Sequence, residues 1–325
     1  RVDPDSGTMA DLYRPVEQIG MPCATPDGNQ TAIIEAICSD RMIVAGDIRI
    51  LPATGGDPLT VNLQDVDATF ITWADNSTLL YAGHRGFETV CGMITTESDE
   101  AGYHAVEFWS ATDCTIGAWD PSIAPLRGTQ DGTWGCAALL ESFERPPAVC
   151  EIAATSVRKV SSLAPANGTD PALPTRCEPL RWTGRDGLEM HGWLVRPEGL
   201  NEAAPLVMDI HGGPVWCCRN RWRGRLRGAQ LLANLGIASF FPNPRGSSGR
   251  GQAFAGMVRG DMGGEDTHDY LAGLDALGAR GIADPQKLGV TGISYGGFMS
   301  SWLITQDDRF AAAVPISPVT NWYSQ

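Results

Sequence analysis

No apolar run in the 325-residue sequence approaches the ~20 residues a helix needs to cross a membrane; the longest, such as 311–316, are of core-strand length. Basic residues are scarce, 24 against 38 acidic ones, giving a net charge of −14. That balance speaks against binding nucleic acid or an anionic membrane, both of which favour a basic surface. Metal-binding spacing is missing as well. The nine cysteines include no CxxC pair, and Cys217 and Cys218 are adjacent, which suits no shared zinc site. They read as reduced, mostly buried thiols, which fits a cytoplasmic location. No metal and no cofactor is expected. The sequence begins at Arg1 and shows no leader segment, so the parent's own N-terminus is expected further upstream. Glycosylation-type triplets at Asn29, Asn76 and Asn167 give only a weak secretory hint.

What is present is an ordinary globular mixture, 43% hydrophobic and 19% charged. The length has room for two domains, since one core seldom grows past ~250–300 residues. The two halves differ in pattern. Residues 1–165 read as short strands between polar turns. Three stretches resemble each other: Pro26-Asp27-Gly28 before 31–38, Trp73-Ala74-Asp75-Asn76 before 78–82, and Asp131-Gly132 before 134–140. Each is a tight-turn signal followed by a strand. Their intervals, 48 and 56 residues, approach the ~40–50 of a propeller blade, with a β-sandwich as the alternative. Residues 166–177, rich in proline, read as a linker. From 178 to 325 a hairpin is expected over 180–195. Apolar strands then alternate with helices: strand 206–210, helix 230–235, strand 237–241, helix 267–277, strand 288–291, a helix from Gly297, and strand 311–316. The expected fold class is therefore an all-β propeller portion of partial blades, then a partial α/β domain whose parallel sheet carries helices on both faces.

Gly292-Ile293-Ser294-Tyr295-Gly296 fits G-x-S-x-G between a buried strand and a helix-compatible run. The sharp turn needs small residues beside the serine, which Gly292 and Gly296 provide. It would lift the Ser294 hydroxyl to a helix N-terminus, where an oxyanion is favoured. His211-Gly212-Gly213-Pro214 follows the strand at 206–210, where α/β hydrolases place a second oxyanion donor. The backbone N–H groups of Gly213 and Tyr295 are the expected hole. His211 is expected to orient this loop rather than act as base. Asn243-Pro244-Arg245-Gly246 also follows a strand, so Arg245 is a candidate substrate contact, or else a structural partner of Asp261 or Asp266. Asp261, Glu265, Asp266 and Asp269 surround a helix start, where carboxylates suit the dipole. The alternate arginines Arg219, Arg221, Arg223, Arg225 and Arg227 read as a solvated or interdomain face, or else as an attractor of acidic substrate groups.

Four motifs in this order resemble the prolyl oligopeptidase family of serine peptidases, particularly its acylaminoacyl-peptidase-like branch: HGGP at 211–214, NPRGSSGRGQAF at 243–254, GGEDTHDYLAGLDAL at 263–277 and the segment 292–322. The match is strong over 178–325 and looser at 81–89 and 145–147. The resemblance implies a propeller packed over an α/β-hydrolase domain and cleavage of short peptides between the two. It makes Ser294 the nucleophile and places Arg85 and Glu88 of the propeller as contacts for a peptide terminus. Peptide is then the expected partner, and open sheet edges make homo-oligomeric association an open question.

The departures are as informative. The family order Ser, Asp, His requires an Asp and a His after the serine, yet the 31 residues after Ser294 hold no histidine, and Asp307 and Asp308 follow too soon. The first ~165 residues are also too few for a whole propeller. The sequence is therefore expected to be a fragment cut at both ends, with little or no activity of its own. An esterase of the same fold and a non-catalytic peptide-binding scaffold are the alternatives.

Overall fold

A computed structural model describes residues 2–39, 45–96, 102–117, 121–127, 133–154, 156–163, 175–222 and 228–321. Its first half is built from antiparallel strands in three separate sheets. The first holds β1 (Gln18–Ala24), β2 (Gln30–Ala36), β3 (Asp47–Pro52) and β4 (Leu59–Val61). The second holds β5 (Asp67–Trp73), β6 (Thr78–Arg85), β7 (Glu88–Thr95) and β8 (His104–Ala111). In the third, β9 (Thr115–Ile116) joins β10 (Ile123–Arg127), β11 (Trp134–Glu141), β12 (Ala148–Ala153) and β13 (Ser156–Ser162). These are successive propeller blades rather than the two facing sheets of a sandwich.

The first two repeated turn signals fall on the same connection, between the first and second strands of a blade. The first two turns touch: Asp27 N donates to Asn76 Oδ1 at 3.1 Å. Asp131-Gly132 lies outside the described residues. Strand alternation explains how the blades stack. On β6, Leu79 and Tyr81 pack with Ile34, Ile48 and Ile50 of the first blade. Their neighbours Leu80 and Ala82 pack with Cys136, Ala138 and Cys150 of the third. Strands β5–β7 of the middle blade are thus largely buried on both faces, whereas β8 at its edge is half-buried or exposed.

The second half is one six-stranded mixed sheet in the order β14-β15-β17-β16-β18-β19. Its strands are β14 (Thr175–Thr183), β15 (Glu189–Pro197), β16 (Ala204–Ile210), β17 (Ala238–Asn243), β18 (Ala283–Ile293) and β19 (Phe310–Ile316). The expected hairpin is β14–β15, and β15 runs antiparallel to β17, so only the four strands β17, β16, β18 and β19 are parallel. Most of the expected linker, 164–174, lies outside the described residues, and 175–177 already belong to β14.

Helix α1 (Ala229–Asn234) packs on one face with Trp193, Val195 and Phe241. The four-residue α2 (Gln252–Ala255) follows β17. Helices α3 (Glu265–Ala279) and α4 (Tyr295–Gln306) cover the other face, burying Tyr270, Leu274, Met299 and Leu303 against Leu206, Met208 and Phe240. The adjacent Phe240 and Phe241 therefore serve opposite layers. Helix α4 starts two residues before the expected Gly297 because Ser294 itself is its N-cap. Among the described residues no helix is long and apolar enough to cross a membrane.

The propeller rests on the α1 face. Phe87, at the tip of the β6–β7 hairpin, packs edge-on to His191 and Trp193 at 5.1 and 5.0 Å. Phe143 lies 5.0 Å from Phe241. Arg219 Nη1 donates to His84 Nε2 at 2.8 Å, and Arg221 pairs with Glu141. The first two members of the arginine run thus sit at the junction of the halves; Arg223, Arg225 and Arg227 lie outside the described residues. Burial, with Arg219 beside it, pushes the His84 imidazole well below its ordinary pKa, so it stays neutral and accepts this bond.

Candidate active site

The parallel strands β16, β17 and β18 end at one edge of the sheet, and the loops that follow them meet there. Ser294 stands at the end of β18 with φ 60° and ψ −117°. A non-glycine residue there is strained, and such strain persists only where the surroundings impose it. Here they do. A Cβ on Gly296 would lie 2.1 Å from Ile210 O, one on Gly292 would lie 2.6 Å from both Gly296 O and Ile210 O, and one on Gly297 would lie 2.5 Å from Ile316 O. Helix α4 is therefore pressed against β16 and β19, and the turn between β18 and α4 has to be sharp. Ser294 N is tied to Ile316 O at 3.0 Å, and the side chain is exposed.

The first intrahelical bond of α4 runs from Phe298 N to Ser294 O at 2.9 Å. The N–H groups of Tyr295, Gly296 and Gly297 belong to the first turn, where the helix itself supplies no acceptor. Tyr295 N–H thus sits next to the serine at the positive end of a twelve-residue helix. The Tyr295 side chain runs the other way, into the core, where it is 2% exposed and its hydroxyl donates to Asp266 at the start of α3. Asp266 also accepts from Gly263 N at 2.9 Å and Thr267 N at 3.0 Å. Burial, then Tyr270 and Asp266 nearby, holds the Tyr295 phenol well above its ordinary pKa, so it remains a donor.

Gly213 follows β16 with φ 118°, a conformation glycine tolerates and other residues avoid. The loop lies against the elbow: a Cβ built on Gly212 would be 3.2 Å from Ile293 O and 3.5 Å from Ser294 Cβ. Gly212, and with it the loop that carries Gly213, thus lies beside Ser294. His211, 6% exposed, holds the loop through both ring nitrogens. Nδ1 donates to Gly212 O at 2.7 Å, and Nε2 then accepts from Ser247 Oγ at 3.1 Å. In a trans peptide the N–H points away from the C=O, so the bond to Gly212 O sets the direction of the Gly213 N–H.

Arg245 is 8% exposed and its guanidinium is taken up by two carboxylates. It donates to Asp269 through Nε at 2.7 Å and Nη2 at 2.9 Å, and Nη2 also reaches Asp186 at 2.9 Å. The partners differ from the expected Asp261 and Asp266. Asp261 instead accepts from Glu265 N at the start of α3, and Asp266 is occupied by Tyr295. The Asp269 contact raises the Arg245 pKa further, as for a permanent structural cation. Arg85 and Glu88 pair with each other at 2.7 Å, and Arg85 also pairs with Glu107 at 2.8 Å, all about one-third exposed. Among the described residues no cluster of three or more His, Cys, Asp or Glu side chains could hold a metal ion. Asp67 had no sequence signal, and the partners of Asp266 and Ser247, both within motifs read from the sequence, could not be told from it. Each acts through a partner distant in the chain.

Comparison with known proteins agrees with this geometry. Residues 223–325 match the prolyl oligopeptidase family. Over 150 residues the chain is 41% identical to the uncharacterized peptidase YuxL of Bacillus subtilis, covering 45% of this chain and 22% of that protein. Over 133 residues it is 34% identical to dipeptidyl-peptidase 5 of Schizosaccharomyces pombe, covering 40% and 19%. The acylaminoacyl peptidase of Pyrococcus horikoshii superposes with a TM-score of 0.68 at 23% identity, over 92% of this chain and 44% of that one. The chain thus spans about a fifth of the curated relatives' length and less than half of the solved structure. The fold is the shared one, propeller blades followed by an α/β-hydrolase sheet.

Proposed function

Starting from a hydrolase half whose residues 223–325 match the prolyl oligopeptidase family, we propose that this chain is part of a serine peptidase that cleaves short peptides through an acyl-enzyme on Ser294. The observation that carries the reading is the strained Ser294 backbone, which exposes the hydroxyl between the N-terminus of α4 and the Gly212–Gly213 peptide.

In this reading Ser294 Oγ attacks the peptide carbonyl carbon and gives up its proton to a general base. The carbonyl oxygen becomes an oxyanion received by the N–H groups of Tyr295 and Gly213. The C–N bond then breaks, the amine leaves with the proton, and water hydrolyses the resulting ester. Residues 295–325 contain no histidine, and His211 has both ring nitrogens engaged, so the base is not assigned to either. Arg245 is assigned to the scaffold. Arg85 and Glu88 keep their assignment as propeller-side contacts for a peptide terminus. The proposal keeps the division into a propeller portion over 1–165, a linker from 166 and a hydrolase portion to 325, with the last boundary moved from 178 to 175, where β14 starts. A propeller that excludes large folded substrates suits a peptidase better than an esterase.

The test compares aminoacyl-anilide with simple ester turnover in the full-length protein and its Ser294→Ala variant. Anilide turnover lost in Ser294→Ala is the expected result; ester turnover alone would turn the assignment to an esterase. Residues 1–325 by themselves are expected to show no enzymatic turnover. Ser294-dependent hydrolysis by that polypeptide would contradict this and place the base inside it.

A further inference from the structure

The segment that carries Gly213 is held from the propeller side. Directly, Val215 N donates to Ser39 Oγ of the first blade at 3.0 Å. Indirectly, the loop after β17 grips the segment at both ends: Ser247 Oγ donates to His211 Nε2 at 3.1 Å, and Ser248 N to Trp216 O at 3.0 Å. That loop is in turn fixed by one propeller carboxylate. Asp67 begins β5 and is 2% exposed. Its Oδ2 accepts from Gly249 N at 2.5 Å and Gly251 N at 3.2 Å, and its Oδ1 from Gln252 Nε2 at 3.2 Å. Gly86 N of the β6–β7 hairpin adds a bond to Gly249 O at 2.6 Å.

We propose that Asp67 is a positioning residue for the oxyanion-binding peptide, acting across the junction through the 244–251 loop, Ser247 and His211 on Gly212–Gly213. The inference rests on the reading of Gly213 as an oxyanion donor. The loop needs such an anchor. Gly246, Gly249 and Gly251 adopt φ of 92°, 89° and 82°, and glycines give up the most conformational freedom when ordered. A buried carboxylate accepting several N–H groups makes stronger bonds than neutral acceptors would. Without it, the Gly249 and Gly251 N–H groups lose their acceptor, the loop relaxes, and Ser247 no longer fixes the His211 ring. The Gly212 carbonyl, and with it the Gly213 N–H, then loses its set direction. The Arg219–His84 pair and the Phe87 contact join the halves without entering this chain of bonds.

The experiment is amide hydrogen exchange on Asp67→Ala, Ser247→Ala and the double variant, with residues 1–325 as the parent. In Asp67→Ala, peptides covering 211–216 and 244–251 are expected to exchange about tenfold faster, while β11–β12 of the third blade is unchanged. Ser247→Ala, which leaves the propeller untouched, is expected to accelerate 211–216 as well. The double variant is expected to be no faster there than Asp67→Ala alone, because both break one chain of contacts. Normal exchange of 211–216 in Asp67→Ala, or additive effects in the double variant, overturns the proposal. Should Asp67→Ala not fold, the same comparison is made with Asp67→Asn. In a full-length protein with Ser294-dependent turnover, Asp67→Ala is expected to lower kcat about tenfold with KM little changed; an effect confined to KM overturns the proposal. Absence of Ser294-dependent turnover counts against the peptidase reading, and the exchange data still decide this one.

Discussion

The turn at Ser294 and the segment 211–216 lie side by side at the same edge of the sheet, yet they are held in different ways. The turn depends on its own neighbours in sequence: Gly292, Gly296 and Gly297 leave room for β16 and β19, and the backbone has little choice but to place Ser294 at φ 60°. The segment 211–216 depends on groups from elsewhere, Ser39 and the Asp67-anchored loop among them. A nucleophile flanked by the glycines that its turn requires can be recognised from a five-residue motif. A donor set by distant hydrogen bonds cannot.

The largest effect should come from breaking the local half of that comparison. Ala is favoured over Gly within helices by roughly 1 kcal/mol, so propensity alone says Gly296→Ala stabilises α4. The added Cβ would lie 2.1 Å from Ile210 O and 2.9 Å from His211 O, and neither backbone atom can swing away. The clash wins, and denaturant unfolding should show a loss of at least about 3 kcal/mol. A neutral Gly296→Ala would mean that α4 is not pressed against β16 as described.

The next prediction sharpens the distant half through pH. Burial raises the Asp67 carboxyl from its ordinary 3.8 to about 6, despite the lowering by Gly249, Gln252 and Gly251, with Asp47 adding to the rise. The folded protein therefore keeps this proton at pH values where the unfolded chain has lost it. The stabilisation is present in full below about pH 3.8 and is lost as the pH rises through about 6. Asp67→Asn has a fixed cost from its missing acceptor, but no such loss. Its stability relative to the parent should climb by at most about 3 kcal/mol across that window in urea unfolding. A constant offset at every pH would show that Asp67 does not titrate there.

Tyr295→Phe lies between the two cases, since its backbone belongs to the elbow and its hydroxyl to α3. Removing the hydroxyl leaves buried Asp266 with Gly263 N and Thr267 N as partners, at a cost of about 1–2 kcal/mol by thermal or denaturant unfolding. The smallest effect is expected from Arg85→Ala. Its pairs with Glu88 and Glu107 are about one-third exposed, so stability should fall by less than about 1 kcal/mol.

Much of the fold was legible from pattern. The turn signals at 26–28 and 73–76 mark equivalent hairpins of successive blades, and the strand–helix alternation after 204 appears as read. Strand lengths were less legible. β18 extends over Ala283–Ile293, far beyond its apolar centre, because Ala283 pairs with Ala204 across a register irregularity. The partner of Arg245 was not legible either. Asp261, Asp266 and Asp269 are chemically equal in sequence, and only the approach of α3 to β17 selects Asp269, with Asp186 reaching in from the β14–β15 turn.

The sequence by itself determined the nucleophile turn, the glycines around it, and the change from alternating hairpins to strand–helix units. These are written in residues close along the chain, the glycines beside Ser294 and the spacing of apolar positions, although the backbone those glycines make room for belongs to β16 and β19. Only the tertiary structure decided that Asp67 holds the 244–251 loop, that Ser247 and His211 connect it to Gly212, and that the Tyr295 hydroxyl meets Asp266. Those choices join groups up to 184 residues apart, as between Asp67 and Gly251. Many polar side chains could serve equally well in sequence, and packing brings one of them to each buried N–H or carbonyl.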